Sequence, residues 1–197
     1  MIQTIHEHSI DLDLLTGGWV IDAGCRNWNF SKMMKDFGEK VYALDLEALS
    51  KPDNIDFFVQ KPLLSTSREI TVNILNDPNA SFVDSTRHSR SINSFSLASI
   101  TLPEIYEQVG LEIDVLKLDI EGSEYEILTD PNFLPIPRQI SVEFHEHCFP
   151  DKHAIHFESC LLNLQKNYEP FNLHRVPMHG CNPNYWDVLF IRKDLLH

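Results

Sequence analysis

Apolar residues in this chain come in short dense runs, most of them followed by a segment whose apolar positions recur at helical spacing. The clearest unit is residues 113–128, IDVLKLDIEGSEYEIL. Its first half is almost continuously hydrophobic, interrupted only by Asp114, Lys117 and Asp119. A strand buried on both faces of a parallel sheet reads that way. From Glu121 the pattern changes: Tyr125, Ile127 and Leu128 are spaced for a helix, and the acids at its start suit a helix N-terminus. The unit is therefore a strand, an acid-bearing turn with Gly122, and a helix.

The same alternation runs along the rest of the chain. Residues 9–15 suggest a short helix stopped by Gly17 and Gly18. A strand at 19–21 closing at Asp22, then a helix over 30–37 ended by Gly38, make a first strand–helix unit. Short strands are predicted at 41–44, ending in Asp45, and at 55–59. Residues 69–75, EITVNIL, alternate like an inserted edge strand or hairpin, and the remainder of that segment, NDPNASFVDSTRHSRSINS, reads as loop. Thr101 caps a helix with Pro103 and Glu104 in its first turn and Gly110 at its end. A strand at 139–144, an amphipathic helix over 154–168 carrying Phe157, Cys160, Leu161 and Leu164, and strands at 171–176 and 186–191 complete the chain. The link between the last two strands is too short for a helical crossover, which makes that pair antiparallel.

These elements predict one α/β domain over 1–197, a Rossmann-like three-layer sandwich with a seven-stranded, mostly parallel sheet. Composition narrows its partners. With 43% hydrophobic residues and no apolar run of ~18 residues, no membrane span is expected. A formal net charge of −13 repels phosphate backbones, so nucleic acid is excluded as substrate. The acidic start MIQTIHEHSIDLD lacks signal-peptide order, and Cys25, Cys148, Cys160 and Cys181 form no CxxC pair, so a cytoplasmic location is expected.

Ligands of open α/β sheets gather beyond the carboxyl ends of the strands, which places Asp119 and Glu121 where chemistry would occur. Asp45, at the tip of the second strand, stands where a ribose hydroxyl pair is gripped in nucleotide-binding folds. Gln60 and Lys61, after the third strand, either meet an adenine edge or are loop positions without a role. In EFHEHCF, Glu143, His145 and His147 share one face of the fifth strand, close to Asp119. They either take part in proton transfer or simply pair with neighbouring backbone.

Taken together, VIDAG at 20–24, VYALD at 41–45, VLKLDIEGSEYEIL and SVEFH at 141–145 resemble the FkbM-type methyltransferases, a branch of the class I S-adenosylmethionine (SAM)-dependent enzymes. LKLDIEGSE carries most of the specificity. The resemblance implies SAM as cofactor and methyl transfer onto a hydroxyl of a sugar, glycan or other small molecule. The cofactor contacts it implies are Asp22, Gly24, Cys25, Asp45, Leu46, Gln60, Asp119 and Glu121. His145 becomes the general base for the hydroxyl proton, oriented by Glu143 or Asp119, each of which belongs to the expected catalytic set.

Several departures and alternatives go with that reading. Where such enzymes have a second glycine in the first loop, this chain has Trp28, whose indole either covers the cofactor or blocks it. A blocked site would leave a non-catalytic scaffold with a methyltransferase-like fold. An NAD-dependent enzyme would want Gly-x-Gly-x-x-Gly, which GCRNWN does not supply. Asp119, Glu143, His145 and His147 could also hold a divalent metal, with Cys148, His153, His156, His179 and Cys181 as further donors, but none has the spacing of a structural zinc motif, and no metal is assigned. The methyl acceptor and the oligomeric state are not legible.

Overall fold

The structure is a computed structural model that describes residues 1–47, 50–75, 81–83, 91–145, 153–177 and 184–196. His147, Cys148, His179, Cys181 and parts of the 76–94 segment lie outside the described residues. The chain begins with a hairpin of β1 (Ile2–Ile5) and β2 (His8–Asp11). The main elements then follow as β3 (Trp19–Ala23), α1 (Asn29–Asp36), β4 (Lys40–Asp45) and β5 (Phe57–Gln60). An insertion supplies β6 (Glu69–Leu75), β7 (Ser81–Val83) and β8 (Ser91–Ala98). The chain returns through α2 (Leu102–Val109), β9 (Ile113–Leu118), α3 (Glu124–Thr129), β10 (Gln139–His145), α4 (His153–Leu164), β11 (Tyr168–Pro177) and β12 (Asn184–Arg192).

The central sheet has seven strands in the order β11-β12-β10-β9-β3-β4-β5. Strands β10, β9, β3, β4 and β5 run parallel, and β12 runs against both of its neighbours. Both faces are covered, which explains the unbroken apolar runs. On one face Ile21, Leu116 and Val142 pack against Ile105 of α2, Ile127 of α3 and Cys160 of α4. On the other, Val20, Val41 and Val115 meet Phe30 and Met34 of α1 and Ile5 and Ile10 of the hairpin. The Thr101 cap forms as a full capping box with Glu104. No helix among the described residues is long and apolar enough to cross a membrane.

Two segments differ from the expectation. Residues 9–15 form the second strand of the hairpin and a single 3-10 turn at Leu12–Leu14, rather than a helix. The hairpin turn uses His6 and Glu7, both left-handed at φ 45° and 73°, where Asn-Gly is the usual signal. Tertiary contacts hold it: Gln139 accepts from the Asp11 amide at 2.7 Å and donates to its carbonyl at 3.1 Å. The insertion, expected as an edge strand or hairpin plus loop, is a separate three-stranded sheet ordered β7-β6-β8. Val72 pairs with Phe95 and Ile70 with Leu97. The polar residues Ser91, Asn93 and Ser94 at the start of β8 continue the loop-like composition that precedes it.

Candidate active site at the carboxyl ends of the parallel strands

Side chains alternate across a sheet, so the residue two places after an apolar one shares its face. Asp22 follows Val20 and Lys117 follows Val115, so both lie on the face covered by α1 and the hairpin. Register places Asp22 beside Lys117, Lys117 beside Ser141, and Glu143 beside Asp187. A polar row therefore crosses the carboxyl end of the sheet beneath the hairpin.

Lys117 organises one end of that row. Its ammonium, 3% exposed as a residue, lies 3.1 Å from Asp22 Oδ1 and 3.3 Å from Asp119 Oδ2, and donates to the Gly24 carbonyl at 2.7 Å. Burial works against the charge, but the two carboxylates outweigh it and hold the ammonium's pKa above the usual lysine value. Asp119, also opposed by burial, is held well below the usual carboxylate range by Lys117, with His8 and His145 adding to the effect. Asp22 is fully buried, and its Oδ2 accepts from the Ser31 hydroxyl at 2.5 Å.

His145 organises the other end. Its Nδ1 lies 3.1 Å from Glu124 Oε1, and its Nε2 lies 3.2 Å from Glu143, 3.6 Å from Asp119 and 3.8 Å from Glu121. Carboxylate oxygens only accept, so both ring nitrogens face acceptors and carry hydrogens. Burial would lower the pKa of this 3%-exposed imidazole, but Glu124 and its neighbours raise it well above the ordinary value. Glu124 is the fixed point of the cluster: fully buried, it also accepts from the His145 amide at 2.9 Å and the Gly122 amide at 2.8 Å. Across the sheet, Asp187 is 4% exposed, and burial followed by Glu143 pushes its carboxyl up to about 8.

Beside this cluster a crevice opens between the ends of β3, β4 and β9. Gly24 and Arg26 line it from the first loop, Asp45 and Leu46 from the second, Lys61 and Leu63 after β5, and Asp119 and Glu121 from the β9 turn. Asp45 accepts from the Arg26 amide and the Glu47 amide, each at 2.9 Å, and burial raises its pKa. Each oxygen keeps a lone pair for a further donor. Gly24 sits at φ 85°, and a Cβ there would fall 1.9 Å from the Asp119 carbonyl oxygen. The neighbouring loop alone therefore demands glycine at this position.

Of the residues expected at a cofactor, Gly24, Asp45, Leu46, Asp119 and Glu121 line the crevice. Asp22, Cys25 and Gln60 do not. Asp22 lies behind it on Lys117, Cys25 is a buried thiol, and Gln60 donates to the Leu46 carbonyl at 3.1 Å. His145, Asp119 and Glu143 do come together. Trp28 neither covers nor fills the crevice: it is 8% exposed and packs edge-on to Phe58 with ring centroids 5.1 Å apart. Its φ of 63° is the left-handed conformation in which glycine is easiest. His8, Lys117 and Glu124 were not singled out from the sequence. Lys117 stands out there only as a break in an apolar run and Glu124 only as a helix-start acid, while His8 was hidden by the helix expected over its neighbours.

A crevice at the carboxyl ends of the first, second and fourth strands of the parallel series, with one carboxylate at β4 and another at β9, suits a cationic nucleoside-like ligand. The family model for the FkbM methyltransferase domain matches residues 32–169, including Asp45, Asp119, Glu124 and His145. Asp22, Gly24 and Trp28 fall before the matched region. No curated protein matches the chain. Matched over more than half its length, on the strand order and turn described above, the chain belongs to the FkbM methyltransferase domain family.

Proposed function

We propose that this chain is a SAM-dependent methyltransferase that methylates a hydroxyl oxygen of a small molecule such as a sugar or glycan. The observation that carries the reading is the crevice shared by Gly24, Asp45 and Asp119, which Trp28 leaves open. The donor set fits SAM: Asp45 has lone pairs for two ribose hydroxyls, and Asp119 is a carboxylate for a positive charge. Bound there, SAM would supply an electrophilic methyl group. Arg26, paired with Glu47 at 3.3 Å, lines the crevice beside Asp45. Cys25 and Cys160, the free cysteines among the described residues, suit a cytoplasmic setting.

In this reading His145 acts as a charged donor that fixes the carboxylates of Glu143 and Asp119. With both its nitrogens on carboxylates, it has no lone pair for a substrate proton. Glu143, 3.2 Å away with a side chain 12% exposed, takes the hydroxyl proton instead. The site contributes mainly proximity and charge placement, which carry most of the barrier reduction in displacement reactions. The scaffold alternative rested on Trp28 and loses its basis with the indole packed on Phe58.

Calorimetric titration with SAM tests the reading. Binding in the micromolar range is expected, weakened about 10–100-fold in Asp45→Ala through the lost charge-assisted hydrogen bonds. An intact fold that takes up no SAM, or an Asp45→Ala variant of unchanged affinity, sinks it. Transfer of a labelled methyl group to a panel of hydroxyl compounds then identifies the acceptor.

A further inference from the structure

The hairpin brings a residue into the polar row that the methyl-transfer reading does not use. His8, on β2, is 3% exposed, and its Nδ1 lies 3.3 Å from the Ser141 hydroxyl. In the tautomer that carries its hydrogen on Nδ1 and donates it to Ser141, the Nε2 lone pair points into the carboxylate cluster, the arrangement that orients an imidazole for a cation. Among the described residues Nε2 makes no hydrogen bond: Asp119 Oδ2 lies opposite at 3.7 Å, beyond hydrogen-bond range. One donor atom each from His8, Asp119 and Glu143 lie within 4.8 Å of one another. Six-coordinate ions with bonds of ~2.1 Å hold adjacent ligands about 3 Å apart, so side-chain rotations close the gap.

We propose that His8, Asp119 and Glu143 form a binding site for a divalent cation of the manganese or magnesium class. One imidazole and two carboxylates suit a hard to borderline ion rather than a thiolate-seeking one. The charge around the site agrees. Among the described residues the carboxyl groups of Asp22, Asp119, Glu121, Glu124 and Glu143 outnumber the buried cations around them, Lys117 and His145. Those cations occupy some of the carboxylate oxygens: Lys117 sits 3.3 Å from Asp119 Oδ2 and His145 sits 3.2 Å from Glu143 Oε1. Glu143 keeps its second oxygen, and the other oxygen of Asp119, Oδ1, has only the longer 3.6 Å approach of His145 Nε2. Among the crevice-lining residues only Asp119 belongs to the triad, so the ion would sit next to the proposed cofactor position rather than in it.

The consequence for catalysis, unlike the ion site itself, rests on the methyl-transfer reading. An ion there would bind the acceptor oxygen and lower its proton affinity, so that with Glu143 held as a ligand the hydroxyl proton passes to bulk water as the oxygen takes the methyl group from the sulfonium.

Titration of the full chain with Mn²⁺, followed by electron paramagnetic resonance in the absence of SAM, tests the site. One ion per chain is expected, at roughly 10–100 µM, a range ordinary for few-carboxylate divalent sites. His8→Ala and Glu143→Gln should each weaken it at least tenfold. Glu143→Gln preserves shape, so the test stands even if His8→Ala loosens the hairpin; circular dichroism checks the fold of both. No bound Mn²⁺ at 1 mM, or native affinity in a folded Glu143→Gln variant, overturns the proposal. SAM calorimetry on the same samples separates the two readings. SAM uptake without Mn²⁺ removes only the ion site, and Mn²⁺ uptake without SAM removes only the methyl-transfer reading.

Discussion

Two aspartates mark the two ends of β9, and their surroundings differ in kind. Asp114, near the strand's start, is 1% exposed and saturated by neutral donors: the Thr16 amide at 2.6 Å, the Thr16 hydroxyl at 2.9 Å and the Gly18 amide at 3.1 Å, with Arg138 farther out at 3.7 Å. Asp119, just past its end, has a side chain about one-third exposed and is faced by the charges of Lys117 at 3.3 Å and His145 at 3.6 Å, with the His8 ring at 3.7 Å. One carboxylate has its hydrogen bonds completed by the fold. The other is kept ionised and left with room for a partner. Satisfaction by short backbone bonds marks a structural acid, and charge held at longer range marks one kept for a ligand.

The contrast makes opposite predictions for the two ends. Asp114→Ala should cost about 3–5 kcal/mol in urea unfolding, because it strands the Thr16 and Gly18 amides and the nearby Arg138 charge. A loss below 1 kcal/mol would remove the distinction. Asp119→Asn should act on turnover, lowering kcat for methyl transfer by ~10²–10³ while moving the urea midpoint less than Asp114→Ala does. If the effects came out reversed, with Asp119→Asn unfolding the protein and Asp114→Ala silencing transfer, the assignment of roles would be wrong.

The smallest predicted effect concerns Glu39, which shares the Asp114 end. It is 1% exposed and accepts from the Gly17 amide at 3.0 Å, while burial, with Asp114 adding to it, pushes its carboxyl up to about 7. The unfolded chain ionises this group near ~4.3. Between those values the folded state holds a proton that the unfolded state has released, so stability falls as pH rises. Glu39→Gln should flatten that slope and raise stability at pH 8 by roughly 1–3 kcal/mol. Unfolding curves at pH 5 and pH 8 check it, and a variant with an unchanged slope would place the titration elsewhere.

The sheet was legible because burial on both faces writes itself as dense apolar runs, as in Ile113, Val115, Leu116 and Leu118. The hairpin was not, because its turn uses His6 and Glu7 in left-handed conformations without a glycine to announce it. The start of β8 was hidden for another reason, because Ser91, Asn93 and Ser94 continue a polar tract that reads as loop. Within the site, Asp45 and Asp119 could be read as acids terminating strands, and the structure brings both to one crevice. Asp22 could be read too, but its burial against Lys117 depends on register between β3 and β9, which no local pattern encodes. The place of His8 needed the hairpin's docking onto Gln139 and Ser141, contacts more than a hundred residues apart in the chain.

Gly24 and Asp119 touch so closely that no methyl group fits between them, and Lys117 ties the carbonyl of the first to the carboxylate of the second. For protein engineering, positions 24, 117 and 119 are therefore a single mechanical part. A library that randomises one of them alone would mostly sample broken joints, whereas altered acceptor preference has to be sought in the walls around that joint.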